Sequence, residues 1–322
     1  MQQSLKINCR NCHAKLDLSE FTPFQQLPCP ECGAVLRVPM RFERYLLEKI
    51  CGRGGNSTVY RALEPELARR VAVKVENESS ASGESETALN FINAARMSGK
   101  VTHPAVVPVF NCGTFEGKAF LVMRYMEHGD LESLLKQGKL PHSGRILSWI
   151  SSLIPLLIEC RNSNIVHHDI KPANIMLTAD DEVKLGDWDI ADYRQPGDVT
   201  TPCSMWASPI YTSPERIFAG GEDYRGDIFS LGVTTYELLS GVAPFGLHGN
   251  TEMIYSRRKN MQFQSLSALV PELPPVLSFL VAGMLEFLPE NRPDYEEISD
   301  IINAVLKESP VVSPGNSSGQ SE

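Results

Sequence analysis

This sequence lacks any long, continuously apolar segment. Its most apolar stretch, residues 146–158, contains three serines and a proline, whereas a membrane-spanning helix needs about 20 apolar residues. The N-terminal residues also lack the apolar core of a signal peptide. We therefore expect no membrane-spanning segment and a chain that stays in the reducing cytoplasm, where cysteines are thiols or metal ligands rather than disulfides.

Positive charge is also in short supply. The chain has 30 lysines and arginines against 39 aspartates and glutamates, which gives a formal net charge of −9. Such an acidic balance argues against a general binder of nucleic acids or membrane surfaces. Hydrophobic residues make up 42% and charged residues 21% of the 322 residues, which is ordinary globular usage and excludes a wholly disordered chain.

Cysteine is scarce except near the N-terminus, where four of the eight cysteines fall within the first 32 residues. Their spacing is C-x2-C-x16-C-x2-C, at Cys9, Cys12, Cys29 and Cys32. Two such pairs are typical of a tetrahedral zinc site, and a segment of about 40 residues has too little core to fold without such support. The sequence therefore predicts a zinc-ribbon-like module over residues 1–39, with four free thiols as the alternative.

The role of this module stays open between a structural cap and a docking module. Residues 1–41 carry five basic and three acidic side chains, and this excess is too small to favour a nucleic-acid partner. We therefore expect the module to dock a protein or to pack on the rest of the chain.

The sequence pattern changes after Pro39. Strand-like segments alternate with one helical segment at 88–97, and the strands are expected at 45–50, 59–63, 70–75, 106–111 and 119–125. Helical spacing then prevails at 143–161, 225–240, 273–287 and 294–307. Strands followed by helices indicate an α+β fold. The tail at 308–322 is rich in serine, glycine and proline, and we expect it to be disordered.

Two motifs in the strand-rich part are suited to binding phosphate. The sequence GRGGNSTVY occupies 52–60, and its glycines let backbone N–H groups approach phosphate oxygens. The strand VAVK, at 71–74, ends in Lys74, which could reach the phosphates of a nucleotide. Taken separately, the motifs also fit an ordinary hairpin and a lysine that extends to solvent.

A third motif, HHDIKPAN at 167–174, carries residues for proton and metal chemistry. The Asp169 carboxylate can accept a hydroxyl proton, and the Asn174 amide oxygen can hold a metal ion. The loop could be a plain polar connection between a helix and a strand. The further carboxylate Asp187, in DWD beyond the strand-like segment 183–185, argues against that interpretation.

In this order the motifs resemble those of the eukaryotic-type protein kinases, most closely their bacterial serine/threonine branch, from about Arg44 to Leu306. The resemblance continues in ASPIYTSPE, DIFSLGVTTYELLSGVAPF and PENRP, at 207–215, 227–245 and 289–293. It implies a two-lobed kinase-like fold at 44–307, with the small lobe to about 122, a hinge at 123–127 and the large lobe from 128. It also implies a pairing of Arg292 with Glu215.

The resemblance implies a role for each site residue. Asp169 would be the catalytic base and Lys171 would steady the phosphoryl group, while Asn174 and Asp187 would hold Mg²⁺ or Mn²⁺. Lys74 would bind the phosphates of ATP. Other implied ATP-binding positions are Cys51, Gly52, Gly54, Ser57, Val59, Ala72, Met123, Arg124, Met126, Asp130 and Met176. By its type alone, Cys51 is more typical of a small buried side chain than of a reactive thiol.

Lys171, together with Ser208 at the position of a family threonine, favours serine or threonine hydroxyls as acceptors. The implied partner is a protein substrate, and the chain itself is one candidate. Neither a membrane nor a nucleic acid is expected as a partner.

Several positions depart from the family pattern. Ser57 replaces the third glycine of the loop, and His168 replaces the arginine that in the family binds a phosphorylated activation segment. Asp189 replaces a glycine after the metal-binding aspartate, and Ala94 stands where the family has the glutamate that pairs with Lys74. These departures leave open a second interpretation, a pseudokinase that acts as a nucleotide- or partner-binding module.

Overall fold

The structure, a computed structural model, describes residues 5–77, 86–193, 210–218, 223–246 and 251–308. The chain divides into two compact units. The first unit contains Met1–Gly99 and Pro108–Met126, and the second contains Lys100–Val107 and Glu127–Glu322. Within the described residues, strands dominate the first unit and helices dominate the second. The predicted α+β order is therefore confirmed. Ser208 and the tail from residue 309 onward lie outside the described residues.

The first unit begins with a small module of two hairpins, residues 5–39, which we call the ribbon. Strand β1 (Lys6–Asn8) pairs with β2 (Lys15–Asp17), and β3 (Gln26–Pro28) pairs with β4 (Val35–Arg37). The module has its own small core, which consists of Cys9, Leu16, Leu18, Cys29, Leu36 and Val38. Six buried residues are few for an independent fold, which agrees with the expected need for a metal.

The two cysteine turns of the ribbon have the same hydrogen-bond pattern. In the first turn the Cys9 N–H donates to the Ala14 oxygen at 2.8 Å, and the His13 N–H donates to the Cys9 oxygen at 2.9 Å. The second turn repeats both bonds at the same distances. His13 and its counterpart Gly33 both have left-handed backbone conformations, with φ of 60° and 72°. The turns are thus duplicates, each presenting a pair of thiols.

A six-stranded antiparallel sheet forms the larger part of the first unit. Its strands, in spatial order, are β5 (Met40–Phe42), β6 (Tyr45–Arg53), β7 (Ser57–Glu64), β8 (Arg69–Glu76), β10 (Lys118–Arg124) and β9 (Val109–Phe115). One face holds a core that includes Tyr45, Leu47, Val73 and Phe120. The ribbon packs on this sheet through Phe24, whose ring stacks on Tyr60 with centroids 5.9 Å apart.

The helix α1 (Glu86–Lys100) buries Phe91, Ala94 and Met97, which lie three residues apart, as its predicted spacing requires. The strand expected at 106–111 begins only at Val109. Proline at 108 lacks the N–H that a ladder needs, and Val106 instead forms a bridge with Leu185 in the second unit.

The second unit is mainly helical. Its helices are α2 (Leu131–Lys136), α3 (Ser143–Asn162), α4 (Pro214–Phe218), α5 (Tyr224–Ser240), α6 (Thr251–Lys259), α7 (Leu266–Leu269), α8 (Pro275–Met284) and α9 (Tyr295–Glu308). Two short strand pairs accompany them, β11 (Ile165–Val166) with β14 (Asp192–Tyr193) and β12 (Ile175–Leu177) with β13 (Val183–Leu185). The four long helices predicted from spacing are all present.

Helix α5 lies at the centre of this unit, because residues on every side of it are buried. Its N-terminus is capped by Asp223, whose side chain accepts the Arg225 N–H at 2.8 Å. A Cβ atom added to Gly232 would lie 2.8 Å from the Cβ of Met284, so only glycine lets α8 approach this closely.

Helix α3 is long and apolar enough to cross a membrane, by its length and composition alone, contrary to our expectation for this stretch. Half of its most apolar window is buried within the fold, including Trp149 and Leu153, and it contacts α5 and α9. The core helix of a folded domain can have the same length and apolar composition. The apolar character of α3 is thus accounted for by its packing in the second unit.

The predicted pairing of Arg292 with Glu215 is confirmed. The two guanidinium nitrogens of Arg292 each lie 2.7 Å from a Glu215 carboxylate oxygen, and the arginine side chain is fully buried. Arg292 also donates to the main-chain oxygen of Arg225 at 2.8 Å and lies over the ring of Phe229. This bidentate pair fixes α4 to the loop before α9.

Replacing Arg292 by alanine should lower the free energy of unfolding by about 3–5 kcal/mol, because the mostly buried Glu215 carboxylate would lose its partner. The control is Arg225→Ala, which removes an exposed pair with Asp223 at 3.3 Å and should cost less than about 1 kcal/mol. Urea unfolding of both variants measures the difference. Equal losses would contradict the assigned importance of the buried pair.

Candidate functional site

Asp169, Lys171 and Asn174 meet in the loop that joins β11 to β12. The Lys171 Nζ atom lies 2.6 Å from Oδ2 of Asp169, and the Asn174 Nδ2 atom lies 2.9 Å from the same oxygen. The Asn174 amide also donates to the main-chain oxygen of Asp169 at 2.8 Å. The loop therefore gathers three of the predicted site residues around one carboxylate.

Burial controls the acidity of this carboxylate. It raises the pKa of Asp169 above its ordinary value, and the nearby Asp187 carboxylate acts in the same direction. The Lys171 ammonium and the Asn174 amide oppose the rise in pKa. A carboxylate with a raised pKa is a better proton acceptor when it is ionised, and the lysine keeps it oriented.

His167 supports the loop from the protein interior. Its Nε2 atom lies 3.1 Å from the Gly186 oxygen, and its Nδ1 atom accepts the Asp169 N–H at 3.3 Å. Burial lowers the pKa of His167 to about 4, so the imidazole is neutral at pH 7 and donates through Nε2. Its ring contacts the buried Trp188 edge-on at 4.5 Å. Trp188 is thus an interior side chain.

Asp187 and Asn174 can together hold a divalent cation. Asp187 follows β13 in a left-handed conformation with φ of 61°, and its charge acts on Asp169. Because the Asn174 amide nitrogen is bonded to Asp169, the amide oxygen is the atom left for a metal. Carboxylate and amide oxygens are ligands that Mg²⁺ accepts, so these residues fit that ion.

Sequence reasoning missed the residue that holds the loop in place, Asp227 near the start of α5. Its two carboxylate oxygens accept the backbone N–H groups of His167 at 2.7 Å and His168 at 2.8 Å. Asp227 is 1% exposed, so these bonds form away from water, where they are strong. They support a left-handed backbone at His168, φ 66°, which costs about 1–2 kcal/mol without compensation. The available signal was a charged residue directly before the apolar pair Ile228 and Phe229.

His168 has a carboxylate partner of its own. Its Nε2 atom lies 3.0 Å from Oδ1 of Asp192, and its side chain is almost wholly buried. The main-chain oxygen of His168 accepts a hydrogen bond from Arg216 in α4 at 3.1 Å. In the family, an arginine at this position binds a phosphorylated activation segment. Here a histidine contacts the carboxylate of Asp192 instead.

The predicted phosphate-binding hairpin lies at the turn between β6 and β7 in the first unit. Its tip is closed by the Gly54 N–H, which donates to the Ser57 oxygen at 2.8 Å. Asn77, the residue after β8, holds the tip, because its side-chain amide donates to the oxygens of Gly54 and Gly55 at 3.1 and 2.9 Å. Thr58 donates to Asn77 at 2.7 Å. Neither Asn77 nor Thr58 was singled out from the sequence.

Four further predicted nucleotide residues of the first unit share one face of the sheet, namely Val59, Ala72, Lys74 and Met123. Val59 lies opposite Lys74, and Ala72 lies opposite Met123. Lys74 is buried, and its Nζ atom lies 5.6 Å from the centre of the Phe91 ring in α1. Arg124 ends β10, and Met126 follows it, buried.

The interpretation of Cys51 as a buried side chain is wrong. The β6–β7 register skips from Ile50 to Gly52, which makes Cys51 the extra residue of a β-bulge. The bulge turns Cys51 outward, and it is exposed.

Asp130 and Met176 belong to the second unit, where a β-bridge joins them. The Asp130 side chain caps α2 by accepting the Ser133 N–H at 2.7 Å and its hydroxyl at 2.9 Å. The predicted residues are therefore gathered within each unit, with Asp130 and Met176 near the loop that carries Asn174.

The four ribbon cysteines form a second candidate site. Their sulfur atoms all lie within 4.8 Å of one another, with 3.8 Å between Cys9 and Cys32 and 3.7 Å between Cys12 and Cys29. A tetrahedron with Zn–S bonds of about 2.3 Å has sulfur–sulfur edges of about 3.8 Å. The cluster is therefore compatible with zinc, and its four sulfurs complete the tetrahedron.

Comparison with known proteins gives a consistent result. Residues 45–302 match the protein kinase domain family. The chain is 32% identical over 250 residues to the serine/threonine-protein kinase PknL of Mycobacterium tuberculosis, an alignment that covers 77% of this chain and 62% of PknL. It is also 32% identical over 285 residues to a probable serine/threonine-protein kinase of Clostridium perfringens, with 87% of this chain and 40% of the relative covered.

A probable serine/threonine-protein kinase of Clostridium acetobutylicum is 29% identical over 262 residues, which cover 81% of this chain and 39% of the relative. The chain thus spans 62% or less of the length of these relatives. The region that matches the protein kinase domain family, residues 45–302, includes the loops that carry the candidate site.

Replacing Asp227 by alanine should lower the free energy of unfolding by about 2–4 kcal/mol, because two buried N–H groups would lose a charged acceptor. The control is Asp300→Ala, an exposed aspartate of α9, which should change stability by less than about 0.5 kcal/mol. Urea unfolding measures both. A loss for Asp227→Ala no larger than that of the control would contradict its role.

Proposed function

Since this chain belongs to the protein kinase family, we propose that it transfers the γ-phosphoryl group of ATP to serine or threonine hydroxyls of proteins. The observation that carries this proposal is the arrangement of Lys171 and Asn174 around the Asp169 carboxylate. Phosphoryl transfer needs positioning and charge neutralisation more than covalent chemistry. This loop supplies three groups that are hydrogen-bonded to one another: a carboxylate that can accept the hydroxyl proton, a cationic side chain and an amide that can bind a metal ion.

Each residue has a defined part in the proposed reaction. Asp169 accepts a hydrogen bond from the substrate hydroxyl, orients it toward the γ-phosphorus and takes its proton as the new bond forms. Lys171 neutralises charge on the phosphoryl group in transit. Asn174 and Asp187 would hold Mg²⁺ or Mn²⁺, which supplies further neutralisation of the phosphate charge. Lys74 binds the α- and β-phosphates.

We propose the following residues for nucleotide binding. The phosphate oxygens contact the backbone of Gly52, Gly54 and Ser57. Adenine and ribose are bound by Cys51, Val59, Ala72, Met123, Arg124, Met126, Asp130 and Met176. The hairpin tip is held by Asn77, which supports a phosphate-binding loop in spite of serine at position 57.

A pseudokinase is the alternative, and no observation favours it. The residues with a chemical role in transfer are all retained, and Asp169, Lys171 and Asn174 are already in contact. The contact between His168 and Asp192 supports transfer without phosphorylation of the activation segment. The departures from the family pattern affect how residues are positioned rather than which chemical groups are present.

Replacing Asp169 by asparagine should lower kcat by at least about two orders of magnitude, because a positioned proton acceptor is lost. Asp180→Asn is the matched control, since Asp180 is an exposed turn residue, and it should keep full turnover. The assay measures ATP-dependent phosphorylation of peptides and of the chain itself. ATP affinity should be nearly unchanged in both variants. Wild-type turnover no higher than that of Asp169→Asn would favour the pseudokinase.

We also propose that the ribbon binds one structural zinc ion through Cys9, Cys12, Cys29 and Cys32. Sulfur–sulfur distances of 3.7 and 3.8 Å support this assignment. Because four thiolates fill the tetrahedron, no position is left for catalysis. The ribbon packs on the sheet of the same unit, and we propose that it also docks a partner protein.

Purified protein should contain about one zinc ion per chain, the stoichiometry of one four-thiolate site. The double variant Cys9→Ser/Cys12→Ser should lose it, because two ligands are too few to retain the ion. Cys51→Ser is the matched control and should keep the metal. Elemental analysis measures the content. Unchanged zinc in the double variant would contradict the site.

The remaining proposals concern organisation and location. We propose a ribbon at 1–39, a kinase domain at 44–307 with a hinge at 123–127, and a tail at 308–322. We propose a cytoplasmic location, which the unpaired ribbon thiols support. The proposed partners are protein substrates, including the chain itself. Cell fractionation tests the location, and recovery in the membrane fraction would contradict it.

A further inference from the structure

The ribbon and the six-stranded sheet enclose a cleft that the proposed phosphoryl transfer does not use. Its volume is about 1000 Å³, and all of its walls belong to the first unit. Strands β1 and β4 of the ribbon form one wall, and residues of β6 and β7 form the other. The cleft therefore lies entirely within one compact unit, where its walls can be described together.

The walls of this cleft are strongly basic. Five cationic side chains line it, against a single carboxylate, that of Glu48. The cations are Lys6, Arg10 and Arg37 from the ribbon and Lys49 and Arg61 from the sheet. Because the whole chain has a net charge of −9, this positive charge is a local concentration. It favours an anionic ligand on this face.

Glu48 neutralises only part of this charge. It pairs with Arg10 of the ribbon, and its other oxygen lies 3.1 Å from Nε of Arg61. Across the described residues, Arg37 and Lys49 have no carboxylate within 4.0 Å. Lys49 also lies directly opposite Arg61 in the β6–β7 register, where like charges repel. An anion bound in the cleft would relieve that repulsion.

The cleft also exposes strand edges. Among the described strands, β1 pairs only with β2 and β4 only with β3, so each keeps one edge without a strand partner. Three consecutive residues of each strand, 6–8 and 35–37, line the cleft. Side chains alternate between the two faces of a strand, so a surface that touches every residue in turn lies along the edge. Such an edge can pair with an extended peptide.

Apolar contacts favour a peptide over a nucleic acid. Val35 in β4 is 73% exposed, and Leu46 and Leu63 form a cross-strand pair on the opposite wall. Aromatic side chains, on which nucleic-acid bases stack, do not line this cleft. The combination of cations, open strand edges and aliphatic side chains matches a strand with alternating acidic and aliphatic residues.

We propose that this cleft is a docking site for an extended, acidic peptide segment of a partner protein. The peptide backbone pairs with the edge of β1 or β4. Its carboxylates contact Arg37 and Lys49, and its alternate side chains contact Val35. This inference rests on the docking role proposed for the ribbon and gives that role a partner chemistry. It does not depend on phosphoryl transfer.

The test uses the full chain, purified with zinc, and a fluorescent octapeptide of alternating glutamate and valine. Anisotropy should show saturable binding that weakens as salt rises. The variant Arg37→Glu/Lys49→Glu should bind about tenfold more weakly, because two attractive contacts become repulsive. Lys139→Glu/Lys307→Glu makes the same charge change on exposed lysines of the second unit and should bind like the wild type. Urea unfolding confirms that both variants are folded.

Four results would each overturn the proposal. The first is the absence of saturable binding to the wild type, and the second is equal binding by the wild type and Arg37→Glu/Lys49→Glu. The third is undiminished binding of a peptide in which proline replaces each valine, because proline has no backbone N–H group for strand pairing. The fourth is tighter binding of oligothymidylate than of the peptide, which would assign the cleft to nucleic acid. ATP turnover is not a readout, so failure here leaves the proposed activity untouched.

Discussion

The candidate site depends on the two hydrogen bonds that the Asp227 carboxylate accepts. This carboxylate accepts the backbone N–H groups of His167 and His168, and it is held on α5, the most buried helix of the second unit. The loop that carries Asp169 is therefore anchored to the core at the two residues that directly precede its functional carboxylate. A short loop with a left-handed residue would otherwise be free to relax, and the contacts of Lys171 and Asn174 with Asp169 would be lost.

A second constraint is the attachment of the ribbon to the sheet. The ribbon has few buried residues of its own, so the contact of Phe24 with Tyr60 helps to hold it on the sheet, and the proposed zinc ion would stabilise it further. Among the described strands, β1 pairs only with β2 and β4 only with β3, so one edge of each strand remains open. The basic cleft is a consequence of this arrangement, since neither wall would form a cleft alone.

Two of the departures from the family pattern, at His168 and Ser57, are compensated locally. Asp192 contacts His168, so the loop has an anion where the family uses a phosphorylated segment. Asn77 bonds to both glycine carbonyls of the hairpin tip, which orders a loop that has a serine in place of its third glycine. In both places a side chain from another segment of the chain contacts the loop at the position of the departure.

The sequence by itself determined the order of strands and helices, the four long helices, the cysteine cluster and the residues of the loop around Asp169. These follow from periodicity and from spacing along the chain, which are local properties. Only the tertiary structure decided the role of Asp227, which lies about 60 residues beyond the loop that it holds, the bulge that exposes Cys51 and the division of residues 106–111 between the two units. Burial, register and long-range hydrogen bonds depend on which segments pack together, and no spacing within a single segment encodes that.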